Sequence, residues 1–168
     1  LGRFWQILLF VGLAIWLFIV ARALAPTFAK GRDKWGIPHF LAYSAVAEQA
    51  ILMAWALLRK IRGQQRHFNE FDRDGITGFE CQGRRLLVVG VGNIGREIAD
   101  IARGLRMEVK GVDIERRLRN FDYVSLSKGA EWAHVVICAL PLTDKTRGML
   151  NYAAFKKCGR GVIFVNVS

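Results

Sequence analysis

The sequence predicts an α/β protein built on a doubly wound parallel sheet. An apolar run at 86–89 leads into glycines at the spacing GxGxxG and a helical pattern, and a second strand-like run follows at 107–112. Two further apolar runs, 133–140 and 162–167, are separated by a short helical segment. Strands that alternate with helices in this way are typical of parallel sheets covered by helices on both faces.

The glycine motif and the acid after the second strand predict a dinucleotide site. Gly90 permits a tight turn, Gly92 has no Cβ to obstruct a pyrophosphate, and Gly95 lets the helix approach the strand. The free N–H groups at the start of that helix face the phosphate charge. Asp113 follows the second strand, where it would accept hydrogen bonds from the adenosine ribose.

The same acid bears on the choice between NAD and NADP. A carboxylate at Asp113 repels the 2′-phosphate of NADP, so we expect NAD. Arg116 and Arg117 are cations close enough in sequence to oppose this preference. Exposed positions after a strand are the more frequent environment for such residues, and we therefore predict NAD as the cofactor.

An apolar run at 4–20 precedes these elements, and Gln6 is its one strongly polar residue. A membrane-spanning helix needs about 20 apolar residues, with about 17 as the lower limit. Gly12 would equally divide the run into a buried strand and a helix. From this segment, a membrane helix and a buried core segment are about equally favoured.

Two domains are predicted. We assign 1–42 to a remnant of a substrate domain or to an apolar N-terminal segment, and 43–168 to a cofactor-binding domain that is incomplete at its C-terminus. A helix is predicted over 45–61, with Ser44 as N-cap and Gly63 as the stop. Its apolar residues go almost all the way round, which indicates burial between domains or at a subunit contact.

Composition excludes several other functions. The net charge of +11 comes from scattered Lys and Arg residues without long basic runs, so we expect solvated basic faces and no nucleic-acid partner. The three cysteines are odd in number and lack CxxC spacing, which favours reduced thiols in a cytoplasmic protein. The three histidines stand apart, and we predict no metal site.

Three ordered motifs resemble the D-isomer-specific 2-hydroxyacid dehydrogenases, a family that includes phosphoglycerate, glycerate, D-lactate and formate dehydrogenases. They are VGVGNIGR at 89–96, AHVVICALPLTDKTRGMLN at 133–151 and GVIFVNVS at 161–168. The resemblance covers about 34–168. It implies a Rossmann-type fold, a homodimer, and hydride transfer between NAD and a 2-hydroxy or 2-oxo acid.

The resemblance also implies which residues contact the cofactor. They are Leu140 and Pro141 at the adenosine, Asp113 at the ribose, Asn93 and Ile94 at the pyrophosphate, Thr146 near the phosphates, and Val167 and Ser168 beside the nicotinamide. The family usually has His or Asn where this chain has Ala139, and the first twenty residues match it poorly. Its catalytic Arg, acid and His would follow Ser168, so we assign no catalytic residue and expect these 168 residues to bind NAD without turnover.

Two alternative functions remain at this point. The apolar run at 4–20 before a GxGxxG domain would also suit a membrane-anchored, nucleotide-sensing regulatory domain. A non-catalytic relative that uses NAD to dimerise and recruit partners would carry the same three motifs.

Overall fold

The computed structural model describes residues 39–68 and 75–168, and Tyr43–Ser168 forms one compact unit. The predictions made for the run at 4–20 lie outside the described residues. The division proposed between 42 and 43 stays a prediction, and it falls inside the first helix described below.

A four-stranded parallel sheet forms the centre of the described part. In chain order, the elements are α1 (His39–Leu58), α2 (Ile61–His67), β1 (Arg85–Val89), α3 (Asn93–Gly104), β2 (Glu108–Val112), α4 (Leu126–Trp132), β3 (Val135–Cys138), α5 (Tyr152–Phe155) and β4 (Ile163–Asn166). The strands are arranged in the order β2-β1-β3-β4, and every pair is parallel. The predicted α/β fold with a parallel, Rossmann-type sheet is confirmed.

The strand register brings the carboxyl ends of all four strands to one edge. Val89 is the partner of both Val112 and Cys138, and Cys138 is the partner of Asn166. The residues that follow these four ends therefore start from the same side of the sheet. In open parallel sheets this is the side on which ligands bind.

The central strand β1 is buried on both faces. Leu86 and Val88 belong to the core that includes α1 and α3, whereas Leu87 and Val89 belong to the core below α4. All four side chains are fully buried. Full burial of such an aliphatic side chain stabilises a fold by roughly 1.5–3 kcal/mol, so β1 anchors the turn that follows it.

Helix α1 differs from its prediction at both ends. It begins upstream of Ser44, whose hydroxyl donates to Glu48 Oε1 at 3.4 Å within the helix and does not cap it. The helix ends at Leu58, and Lys60 takes a left-handed conformation before α2 begins. Gly63 lies inside α2, so the predicted stop at this glycine is wrong.

Helix α1 has one packed face and one exposed apolar face. The packed face belongs to the sheet core and consists of Ala47, Ala50, Ile51, Ala54 and Leu58. Leu52 is 59% exposed and Trp55 is 44% exposed on the other side. Among the described residues, Leu41–Leu58 is long and apolar enough to span a membrane by length and composition, a test that core helices of globular proteins also pass.

Candidate functional site

The turn after β1 requires a glycine at its first position. Gly90 has a φ of 96°, and its N–H donates to Val112 O at 2.8 Å. A Cβ at this position would lie 2.9 Å from both the carbonyl carbon and the oxygen of Ala139. The turn is therefore held between the ends of β2 and β3, and a side chain would be excluded on two grounds.

The next glycine leaves the start of α3 open. Gly92 is the N-cap residue, provides no side-chain hydrogen bond to the helix, and has open space where a Cβ would stand. The first intrahelical bond joins Arg96 N–H to Gly92 O at 2.9 Å. The three preceding N–H groups therefore have no acceptor within the helix, and together with the helix dipole they favour an anion.

The third glycine allows α3 to lie on the turn. A Cβ on Gly95 would stand 2.9 Å from the carbonyl carbon of Gly90 and closer still to its oxygen. The residue is buried. The close approach that the sequence predicted at Gly95 is present in the structure, and it fixes where the N-terminus of α3 points.

Asp113 is locked in place by two backbone N–H groups. Its Oδ2 accepts from Val91 N at 2.6 Å, and its Oδ1 accepts from Glu115 N at 2.9 Å. The first bond joins the end of β2 to the glycine turn. A carboxylate oxygen has a second acceptor position, so both oxygens retain capacity for ribose hydroxyls.

These groups surround one cavity of about 270 Å³ at the carboxyl edge of the sheet. It is lined by six of the predicted contacts, namely Gly90, Gly92, Asp113, Leu140, Pro141 and Thr146. A second cavity of about 250 Å³ shares Leu140, Pro141 and Thr146 with the first and reaches Asn166 and Ser168. We call the two together the crevice. The structure thus brings the glycine turn, the acid and the end of β4 to one elongated depression.

The loop after β3 is held by a hydroxyl. Thr146 Oγ1 donates to Pro141 O at 2.6 Å and accepts from Thr143 N at 2.8 Å. A hydroxyl has one hydrogen to donate, so this one is already used within the loop. The side chain of Thr146 therefore shapes the wall formed by Leu140 and Pro141, and it has no O–H left for a phosphate.

Four predicted contacts do not line the crevice. Asn93 is exposed at the first position of α3, and the side chain of Ile94 packs against the core, so these residues offer their backbone N–H groups. Gly95 is buried beneath the turn. Val167 also packs against the core, and its N–H donates to Cys138 O at 3.0 Å.

Sequence reasoning missed several lining residues. Lys145 lines the same cavity as Asp113, and its place between two predicted contacts of the same loop was the signal that could have identified it. Arg117, which was considered from the sequence and set aside as an exposed residue, also lines the crevice. Its Nε donates to Glu115 at 2.6 Å, and the hydrogen bond to this carboxylate raises the pKa of Arg117. Arg116 lies with its guanidinium 5.9 Å over the ring of Tyr123.

No group of three or more His, Cys, Asp or Glu side chains able to hold a metal occurs in ranges 39–68 and 75–168. The three cysteines of the chain, all within these ranges, are free.

Comparison with known proteins gives a consistent family. The model of the D-isomer specific 2-hydroxyacid dehydrogenase NAD-binding domain matches residues 51–168. A 2-hydroxyacid dehydrogenase homolog of Haemophilus influenzae is 33% identical over 136 residues, which cover 76% of this chain and 41% of that protein. The D-lactate dehydrogenase of Escherichia coli is 35% identical over 130 residues, or 74% of this chain and 40% of that enzyme.

The solved structures agree with the sequence relatives. A structure reported for the identification of the pyruvate reductase of Chlamydomonas reinhardtii superposes with a TM-score of 0.70 at 29% identity. It covers 75% of this chain and 39% of that protein. The chain therefore spans about two fifths of the length of the relatives it matches.

Proposed function

Because this chain belongs to the D-isomer specific 2-hydroxyacid dehydrogenases, whose NAD-binding domain it matches, we propose that its protein is an NAD-dependent oxidoreductase. The reaction is the transfer of a hydride between the nicotinamide and C2 of a 2-hydroxy or 2-oxo acid. The observation that carries the proposal is the crevice, where the open position at Gly92 and the locked carboxylate of Asp113 line the same cavity.

In this proposal the dinucleotide takes one fixed direction. Asp113 would accept from the adenosine ribose, and the wall of Leu140 and Pro141, which lines the same cavity, would lie beside the adenosine. The N–H groups of Asn93 and Ile94 would bind the pyrophosphate, which the open space at Gly92 admits. The end of β4 at Ser168 lines the second cavity, where the nicotinamide side would begin.

The chemistry divides between cofactor and protein. When bound, NAD supplies the hydride acceptor or donor, and the residues of this chain bind and orient it. The rigid sheet edge and the hydroxyl-held loop at Thr146 keep the crevice preorganised. Preorganisation lowers the entropy that binding has to overcome, so the site contributes to the geometry of hydride transfer.

NAD is preferred to NADP in this proposal. With the ribose bound at Asp113, a 2′-phosphate would approach this carboxylate, which two backbone N–H groups hold in place. Arg117 is neutralised by Glu115, and Arg116 lies over Tyr123. Both arginines therefore have partners within the protein, which supports the preference set by Asp113.

The test uses the full-length protein with NADH and a panel of 2-oxo acids that includes pyruvate and hydroxypyruvate. We expect NADH consumption with at least one acid and formation of the D-enantiomer of the 2-hydroxy acid. Tight NADH binding without oxidation by any acid would instead identify a non-catalytic relative. If the protein does not bind NADH at all, the cofactor site proposed in the crevice is wrong. The two failures are therefore distinguishable.

We place a homodimer contact on the exposed apolar face of α1. Leu52, Trp55 and Ile61 line a groove on this side, opposite the face packed on the sheet. An apolar groove of this kind is stabilised by burial against a second copy. Trp55→Glu should shift the protein from dimer to monomer in sedimentation, whereas Gln49→Glu, exposed on the same helix, should not. If Trp55→Glu remains a dimer, as Gln49→Glu should, this face is excluded as the dimer contact.

A cytoplasmic location completes the proposal. The three cysteines are free, which suits a reducing compartment. The relatives reported above are named as dehydrogenases and a reductase, which supports an enzyme over a membrane-anchored sensing domain or a partner-recruiting relative.

A further inference from the structure

Another cavity, distinct from the two that form the crevice, lies at the opposite edge of the sheet, where the strands begin. Its volume is about 510 Å³, compared with about 270 Å³ for the first cavity of the crevice. Residues at or just before the starts of β1, β3 and β4 line it, together with the end of α1. We call it the amino-edge cavity. It shares no lining residue with the crevice.

Positive charge dominates the lining. Lys60, Arg84, Arg85 and Arg160 line the cavity, and Glu131 is the one acidic residue among its lining. Within residues 39–68 and 75–168, the ion pairs join other cations to carboxylates, and these four have none. The ammonium of Lys60 donates to Gly75 O at 2.7 Å, a neutral acceptor. The cavity therefore carries an excess of about three positive charges.

The donors of Arg85 exceed the acceptors around them. Its backbone N–H donates to His134 Nδ1 at 3.2 Å, while its Nη2 lies 2.9 Å from His134 Nε2. A neutral imidazole has one acceptor nitrogen, and arginine is donor-only, so one of these two donors faces an N–H. The Nε of Arg85 is also buried and has no hydrogen-bond partner. Buried donors without acceptors are costly, so the hydrogen bonds within the protein leave the positive guanidinium of Arg85 incompletely compensated.

The electrostatic state of His134 agrees with a positive site. Burial lowers the pKa of His134, and the positive charges of Arg85 and Arg84 lower it further. The imidazole is therefore kept neutral by its surroundings. An anion in the cavity would instead raise the pKa of His134.

The rest of the lining is apolar. Leu58, Ala133, Val162 and Ile163 form part of the wall. Phe79 is 52% exposed, and the guanidinium of Arg84 lies 4.3 Å over its ring. A guanidinium on an aromatic ring is held in place and keeps its edge N–H groups available. The cavity therefore combines a fixed cationic end with an apolar wall.

We propose that the amino-edge cavity binds a small organic phosphate, with the phosphate on the arginines and an apolar body against Phe79. A phosphate monoester carries between one and two negative charges near neutral pH and matches the bidentate N–H pairs of arginine. The volume lies within the range of about 300–1,000 Å³ of small-molecule sites. The site is separate from the cofactor crevice, because it lies at the other edge of the sheet.

The test measures binding of phenyl phosphate to the protein saturated with NAD, so that the crevice is already occupied. Titration calorimetry compares phenyl phosphate with inorganic phosphate and with phenol. We expect saturable binding of phenyl phosphate, weaker binding of inorganic phosphate, and weakest binding of phenol. Equal affinity for phenol and phenyl phosphate, or no saturable binding of phenyl phosphate, would overturn the proposal.

Variants locate the site. Arg160 is exposed on the loop before β4, so Arg160→Ala should leave the fold intact. Losing one charge-assisted hydrogen bond weakens binding roughly tenfold or more, and we expect this for Arg160→Ala and Arg84→Ala. The matched control is Arg119→Ala, an exposed arginine of the β2–α4 connection. Unchanged NAD affinity shows that each variant is folded, and an equal loss with Arg119→Ala would refute the assignment.

Discussion

Replacing Gly92 by alanine should abolish tight NAD binding without destabilising the protein. The backbone at Gly92 is extended, with a φ of −82°, so alanine can adopt it. Within residues 39–68 and 75–168, no atom other than those of Gly92 and its chain neighbours lies within 4 Å of the position that the new Cβ would take. The methyl should therefore obstruct a ligand that approaches the start of α3 and leave the protein itself undisturbed.

The effect of Gly92→Ala on NAD binding should be much larger than its effect on stability. As an N-cap, alanine destabilises the folded state relative to glycine by up to about 1 kcal/mol. Alanine also lowers the conformational entropy of the unfolded chain, which stabilises the folded state by about 0.4–1 kcal/mol. The net change in the free energy of unfolding is therefore within about 0.5 kcal/mol. Displacing the pyrophosphate would remove one or two charge-assisted hydrogen bonds worth about 1.5–3 kcal/mol each. A loss of about 3 kcal/mol corresponds to roughly a hundredfold weaker NAD binding.

Gly95→Ala is the contrasting variant, because it should lower the stability of the protein, whereas Gly92→Ala should not. The new Cβ would stand 2.9 Å from the carbonyl carbon of Gly90, and α3 would have to move away from β1. Overpacking of this kind costs about 3 kcal/mol, which lowers the melting temperature by roughly 6–12 °C in a chain of this length. Thermal unfolding and NADH fluorescence titration of both variants separate the two glycines.

One outcome would refute the reasoning. If Gly92→Ala binds NADH as tightly as the parent protein while it melts at the same temperature, then no phosphate approaches the start of α3. The crevice would then have to hold its ligand elsewhere. A large loss of stability in Gly92→Ala would instead contradict the open space at this position.

Three further predictions follow from the site and from the amino edge of the sheet. Asp113→Ala should weaken NAD binding roughly tenfold and NADP binding less, which titration with both cofactors would reveal. An unchanged ratio of the affinities for NAD and NADP would contradict the role of the carboxylate. Thr146→Val removes the hydroxyl that bonds Pro141 O and should weaken NAD binding several-fold, with recovery in Thr146→Ser, and equal affinities in both would show that the bond is dispensable. The folded state lowers the pKa of His134 below its ordinary value of 6.5, so the unfolded chain binds the proton first, and stability should fall as pH decreases below about 6.5. Chemical unfolding between about pH 5 and 8 would test this, because His134→Gln should show a flatter dependence of unfolding free energy on pH in this range.

The strand-and-glycine part of the site was predictable from local sequence. β1 and β2 lie within one residue of the predicted positions, and the predicted helix lies between them, because a buried central strand needs a continuous apolar run and the turn needs glycines. Asn151 caps α5 in the same local way, since its side chain accepts from Ala154 N at 3.1 Å, a contact between residues three apart. In each case the deciding interaction is local.

The ends of α1 were mispredicted for a different reason. Ser44 is a good N-cap in isolation, but the residues before it continue the helix, and the hydroxyl bonds Glu48 instead. Gly63 suggested a stop, yet the chain turns earlier, at Lys60, after the last residue that packs on the core. Tertiary packing overrode the local signals, as it does for many helix ends.

The sequence by itself determined the parallel sheet, the glycine turn and Asp113 at the end of β2, because all three depend on short-range backbone geometry and on apolar periodicity. Only the tertiary structure decided that Thr146 holds its own loop, that Val167 packs against the core, and that cations distant in sequence meet at the amino edge. Those arrangements depend on contacts between strands that are neighbours in the sheet and far apart in the chain. No local pattern records such contacts.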